Sequence, residues 1–230
     1  MEQKNRFAGV LIILGSLLNL TRLIPIFLNE EVDFSVFPPD TVEKATQISL
    51  LPGWLMSHVM GFISAPLLIV GFIYIYKLFH EKNSGRVGLV STVLLSFGMA
   101  LYGIAVGVDG ILLPQSSIKI VLSTSESVVS TASMLQTFAH ELALMFGSLS
   151  LMATLVGAMV LGFSIYTTFK QKTIGTIGVL YGVIGILMLL TDVIDVYMHK
   201  NFMIGAGAIF AAQAWYLLIG IRMYRGFERT

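Results

Sequence analysis

The stretch Thr173–Lys200, TIGTIGVLYGVIGILMLLTDVIDVYMHK, decides the fold class. It is apolar for long enough to cross a bilayer, whose hydrocarbon core takes about 20 helical residues. Gly175, Gly178, Gly182 and Gly185 recur at spacings of three, four and three. On a helix that rhythm keeps all four on one face. Helices in lipid associate through close approach of small residues, because apolar burial does not favour protein over lipid. The glycine face is therefore expected to pack against a neighbour. Continued further, it reaches Leu189, Asp192, Val196 and His199, with Asp195 one turn past Asp192. A close-packing face thus runs into an acid and an imidazole.

The whole chain has the same character. Its 230 residues are 56% hydrophobic and 12% charged, with a mean hydropathy of +0.85. A soluble domain is near one quarter charged, so part of the solvent must be lipid. A net charge of +1 offers no basic stripe for phosphates and argues against a nucleic-acid partner. The absence of cysteine excludes disulfides, thiolate metal sites and Cys nucleophiles. There is no Walker loop, no dinucleotide-binding glycine motif after a strand and no nucleophile elbow. The bilayer is the partner that the composition names, and nothing in it excludes a homo-oligomer.

Six spans are expected, at about 6–28, 53–79, 87–113, 140–169, 174–198 and 202–224. Irregular backbone cannot face lipid, so these are helices of one transmembrane domain, an all-α bundle. Runs such as Leu67-Leu68-Ile69-Val70 rule out the alternating pattern of a barrel. The first span comes after Lys4 and Arg6 and could pass for a signal peptide. It is too long for one and no small-residue cleavage site comes after it, so it reads as a retained helix.

Loop charge sets the orientation. With the N-terminus inside, the inner face holds ten basic residues (Lys4, Arg6, Lys77, Lys82, Arg86, Lys170, Lys172, Arg222, Arg225 and Arg229) and three acids, leaving +7. The outer face holds Arg22, Lys44, Lys119 and Lys200 against ten acids, leaving −6. Both termini are therefore expected in the cytoplasm of a cell with its protein in the plasma membrane. The cytoplasmic links 81–86 and 170–172 are short; the outer ones are long. In the first of these, Asp40 and Glu43 resemble a capping box for an interfacial helix from about Thr41 to Leu50. The Ser/Thr-rich segment 114–139 reads first as a solvated loop, and second as a helix that starts near Ser127 and extends the fourth span. Spans one, three and five open alike, which suggests duplication of helix pairs.

One layer near the outer leaflet collects ionisable residues: Arg22, His58, Asp109, His140, Glu141, Asp192, Asp195 and His199. His58, His140 and Asp192 lie on small-residue stripes of their helices, whereas Asp109 lies off the Ser96–Ala100–Gly103–Gly107–Gly110 stripe of its own. His199, Glu141 and Lys200 also fit as interface residues. An Arg at membrane depth wants a carboxylate, so a static Arg22–Asp192 or Arg22–Asp109 pair explains the layer as well as catalysis does.

Three functions fit this pattern. The first is a small transport, sensing or immunity-type protein with a polar pocket facing outward. The second is a metal-dependent intramembrane hydrolase, with zinc held by His58, His140 and Asp192 and an open position for water. The third, a haem site on His58 and His140, requires two ligands that the helix depths place more than ~10 Å apart along the axis.

Overall fold

The computed structural model describes residues 2–22, 24, 41–194 and 202–226, with side chains at 5–22, 24, 41–190 and 207–226. All secondary structure among them is helical. In chain order the elements are α1 (Glu2–Thr21), α2 (Val42–Ser49), α3 (Trp54–Glu81), α4 (Gly85–Gly107), a π-helical turn (Val108–Leu112), α5 (Leu113–Leu122), α6 (Glu126–Phe169), α7 (Lys172–Ile194) and α8 (Phe202–Arg225). Four long apolar helices, Trp54–Glu81, Gly85–Leu122, Glu126–Phe169 and Lys172–Leu190, could each cross a membrane.

The helices pack in a ring. α1 lies between α8 and α3, α4 packs on α3 and on α6, and α7 runs from α6 back to α8. Phe72, Trp215 and Tyr216 fill the centre, with Ile12, Leu68 and Leu161 around them. The Trp215 indole N–H donates to the Ile174 carbonyl at 2.9 Å, which satisfies its polar edge without water. The outward faces carry Phe62, Phe97, Phe163 and Leu187, all exposed. In water such an apolar belt would be an aggregation surface; against acyl chains it costs nothing.

The glycines of α7 sit where the chain comes closest to its neighbours. A Cβ on Gly182 would lie 2.6 Å from the Leu155 carbonyl oxygen, and one on Gly175 would lie 2.7 Å from the Gly162 carbonyl oxygen. On Gly185 it would strike the Leu155 side chain at 2.2 Å, and on Gly178 the Trp215 ring at 2.2 Å. Three of the four thus face α6 and the fourth faces α8. Along α4 and the π turn the stripe read from the sequence is packed only in part: Gly103 and Gly110 are buried, the latter against His58. Ala100 is exposed, whereas Gly88, Leu95, Gly98 and Tyr102 are buried. Gly98 lets α4 approach α6 so closely that Ser150 Oγ donates to the Gly98 carbonyl at 2.7 Å.

Segment 114–139 is helical apart from the link 123–125, rather than one solvated loop. α5 continues α4 through the π turn, and α6 starts at Glu126, so the extended-helix reading is the one that describes it. Pro114 is the physical reason for the break in phase. It lacks the N–H that a regular helix needs there, and its ring crowds the carbonyl four residues back; the wider π turn at Val108–Leu112 relieves both. The 44 residues of α6 span roughly 66 Å, about twice the length that one crossing of a hydrocarbon core needs. At its N-terminal end α2, α5 and α6 form a small cap around a buried polar knot. Gln136 Nε2 donates to Ser117 Oγ at 2.7 Å and to Thr46 Oγ1 at 3.1 Å. α2 matches the short helix expected from about Thr41 to Leu50, but its N-cap is Thr41, whose hydroxyl accepts from the Lys44 N–H at 3.2 Å.

Candidate functional site

His58 enters the bundle in the first turns of α3. Its Cβ lies against Gly110, where an added Cβ would come within 2.3 Å of it. The imidazole is buried, at 6% exposure. Nδ1 lies 2.8 Å from the Trp54 carbonyl oxygen one turn back, and Nε2 lies 2.9 Å from Asp109 Oδ2. The Trp54 indole stacks at a tilt over the imidazole, centroids 4.4 Å apart, and its N–H donates to the Asp109 carbonyl at 3.2 Å. Two residues of α3 therefore hold one residue of the π turn from both its side chain and its backbone. π turns of this kind recur at functional sites, where they redirect one side chain without ending the helix.

Both ring nitrogens of His58 face acceptors, so only the doubly protonated ring donates to both; a neutral ring donates to one and turns a lone pair on the other. The pair is a one-proton site at the boundary of the bundle: Asp109 keeps about a third of its side chain in contact with the exterior, while His58 is enclosed.

One turn deeper, Arg22 and Tyr102 meet Gly61. A Cβ on Gly61 would lie 3.0 Å from Tyr102 Oη and 3.3 Å from Arg22 Nη1. The guanidinium sits over the Tyr102 ring at 5.5 Å from its centroid, a cation–π contact, and the Tyr102 hydroxyl donates to Asn19 Oδ1. Among the described residues the side chain that meets the Asp109 carboxylate is His58, not the expected Arg22. The expected carboxylate partner of His58 or Arg22, Asp192, has its backbone in α7 but its side chain outside the described residues, and Asp195 and His199 lie outside them altogether.

His140 does not join the pair. It is half-buried on α6, two turns before Gly147, whose would-be Cβ meets nothing within 4 Å; the small-residue stripe has left its neighbours by then. Glu141 next to it is exposed. Among the described residues no three His, Asp or Glu side chains converge on a point, so His58 and Asp109 offer two donors where zinc needs three. The sequence singles out both members of the pair but does not join them. Asp109 follows Gly98, Tyr102 and Ala105 at spacings of four, three and four, on the face that the structure buries, but no local pattern joins it to His58.

No family model, curated protein or solved structure matches the chain. Its class is that of an all-helical bundle with four long apolar helices, and the site stands on its own geometry.

Proposed function

We propose that the chain is a six-span plasma-membrane protein with both termini in the cytoplasm, and that His58 and Asp109 form an outward-facing proton switch of the transport or sensing type. The charge partition, +7 on one face and −6 on the other, supports the orientation. The carrying observation for the switch is that both ring nitrogens of His58 face acceptors, so that one exchangeable proton decides how firmly α3 holds the π turn. With two protons on the ring both contacts are made; with one, the Trp54 carbonyl and the Asp109 carboxylate compete for a single N–H. Intramembrane ionisable pairs mark proton and solute pathways in other proteins, and the neighbouring Arg22, Tyr102 and Asn19 continue the polar line inward. Hydrolysis is the weaker reading, since the described residues supply two metal donors.

Trp54 reports the switch directly. A Trp215→Phe variant leaves it as the sole tryptophan, and its ring lies against the imidazole. Raising the external pH should change its emission in a single one-proton step, retained in His140→Gln and Glu141→Gln. The step should vanish in His58→Gln and in Asp109→Asn. An unchanged titration in either of those two variants would show that the pair does not hold the proton.

Orientation has its own test. The chain has no cysteine, so a single Cys introduced at Lys82 should resist a membrane-impermeant maleimide in intact cells and react after permeabilisation. A Cys at Ser123, between α5 and α6, should react in intact cells. The reverse pattern would place the termini outside.

A further inference from the structure

A cleft lies at the basic end of the bundle, far along α3 from His58. It measures about 640 Å³ and opens between α3, α4 and α6 beside the Lys82–Ser84 turn. Asn83 makes this turn in the left-handed region, at φ 59°. Thr168 of α6 donates to Ser84 Oγ at 3.1 Å and ties the third helix to it. The lip of the cleft is polar, with His80 and Arg86 on either side of the turn. The wall is apolar: Leu89 lies one turn along α4 from Arg86, and Phe163 on α6 lies across from it. Leu89 and Phe163 are 47% and 58% exposed, so the wall is open sideways to the surroundings of the bundle.

This division of chemistry is that of a phospholipid. Arg86 is exposed, and no carboxylate among the described residues pairs with it. A guanidinium of this kind matches two phosphate oxygens at once. The Asn83 carboxamide and the His80 ring are further polar groups at the same level. Leu89 and Phe163 then continue toward the bilayer centre, where one acyl chain would run. A soluble organic phosphate would use the lip and leave the wall empty. Basic pockets between transmembrane helices are where anionic headgroups bind.

We propose that this cleft is a binding site for an anionic phospholipid, with the phosphodiester between Arg86 and His80 and an acyl chain along Leu89 and Phe163. The site rests on the membrane reading of the chain but not on its orientation, because both ends of the bundle meet headgroups.

The test uses the full chain, delipidated in a neutral detergent and titrated with phosphatidylglycerol or with phosphatidylcholine of the same acyl chains. Phosphatidylglycerol should raise the melting temperature saturably, and phosphatidylcholine should not. Arg86→Gln should raise the half-saturating concentration on the order of tenfold, the loss of one charge-assisted bond. Lys172→Gln, in the other short turn, should leave it nearly unchanged. Native mass spectrometry gives a second measurement, one phosphatidylglycerol fewer retained by Arg86→Gln, which holds even if that variant is less stable. Equal shifts with both lipids, or equal losses in the two variants, would reduce the effect to general surface charge and overturn the site. A shift of the same size with inorganic phosphate alone would overturn the lipid and leave a free-phosphate site. Failure of the topology shows separately, in the cysteine labelling.

Discussion

Gly182→Leu should lower the detergent melting temperature far more than Leu187→Ala, although both change the same helix by similar volumes. At Gly182 even a methyl group would stand 2.6 Å from the Leu155 carbonyl oxygen and equally close to Met159 Cβ. Backbone cannot move aside as a flexible side chain can, so α6 and α7 must separate. Overpacking a core of this kind costs about 1–3 kcal/mol, and more where backbone must shift. Leu187 is 57% exposed on the outward face, and lipid replaces the atoms that the truncation removes. Its loss should fall within about 0.5 kcal/mol. Thermal unfolding of the two variants in one detergent checks the pair. Equal small losses would mean that the α6–α7 contact is soft, and the role assigned to the glycine face would fall with it.

How far the molecule can be read from its sequence differs between levels. Hydropathy is a local sum, so the apolar helices are visible in it, and the small-residue rhythm of α7 marks the side that meets α6. The stripe along α4 and the π turn is legible in part: Gly103 and Gly110 are packed, whereas Ala100 faces outward. Gly98 and Tyr102, one helix face away, are the residues that α6 and Asn19 contact. The polar composition of segment 114–139 suggests solvent, and its exposed positions do face outward. Composition alone does not separate a loop from a helical cap built around a knot such as Gln136–Ser117. The site is hidden by separation along the chain. His58 and Asp109 are 51 positions apart, and no local pattern links them; only the packing of His58 on Gly110 does.

A double-mutant cycle at this pair should give the second large effect. Asp109→Ala leaves the enclosed His58 ring with one nitrogen facing no acceptor. His58→Ala leaves a carboxylate at the rim of the bundle and opens a space above Gly110. Each single change should destabilise by about 1–3 kcal/mol, the cost of a buried polar group left without its partner. The double change removes both halves and should cost less than the sum. A coupling of about 0.5–3 kcal/mol is expected for groups in contact. The coupling should also depend on pH, because the ring can take up one more proton. It should be largest in acid, where the ring donates to both acceptors, and fall in alkali, where two acceptors share one ring N–H. Arg22→Gln serves as the comparison. It weakens the Tyr102 contact one turn deeper and should leave the His58–Asp109 coupling within about 0.5 kcal/mol, as for residues without a shared partner. A coupling that is the same at every pH would make the pair a fixed structural bond. Strict additivity would show that His58 and Asp109 do not meet in the membrane, and the proton switch would have no residues to act through.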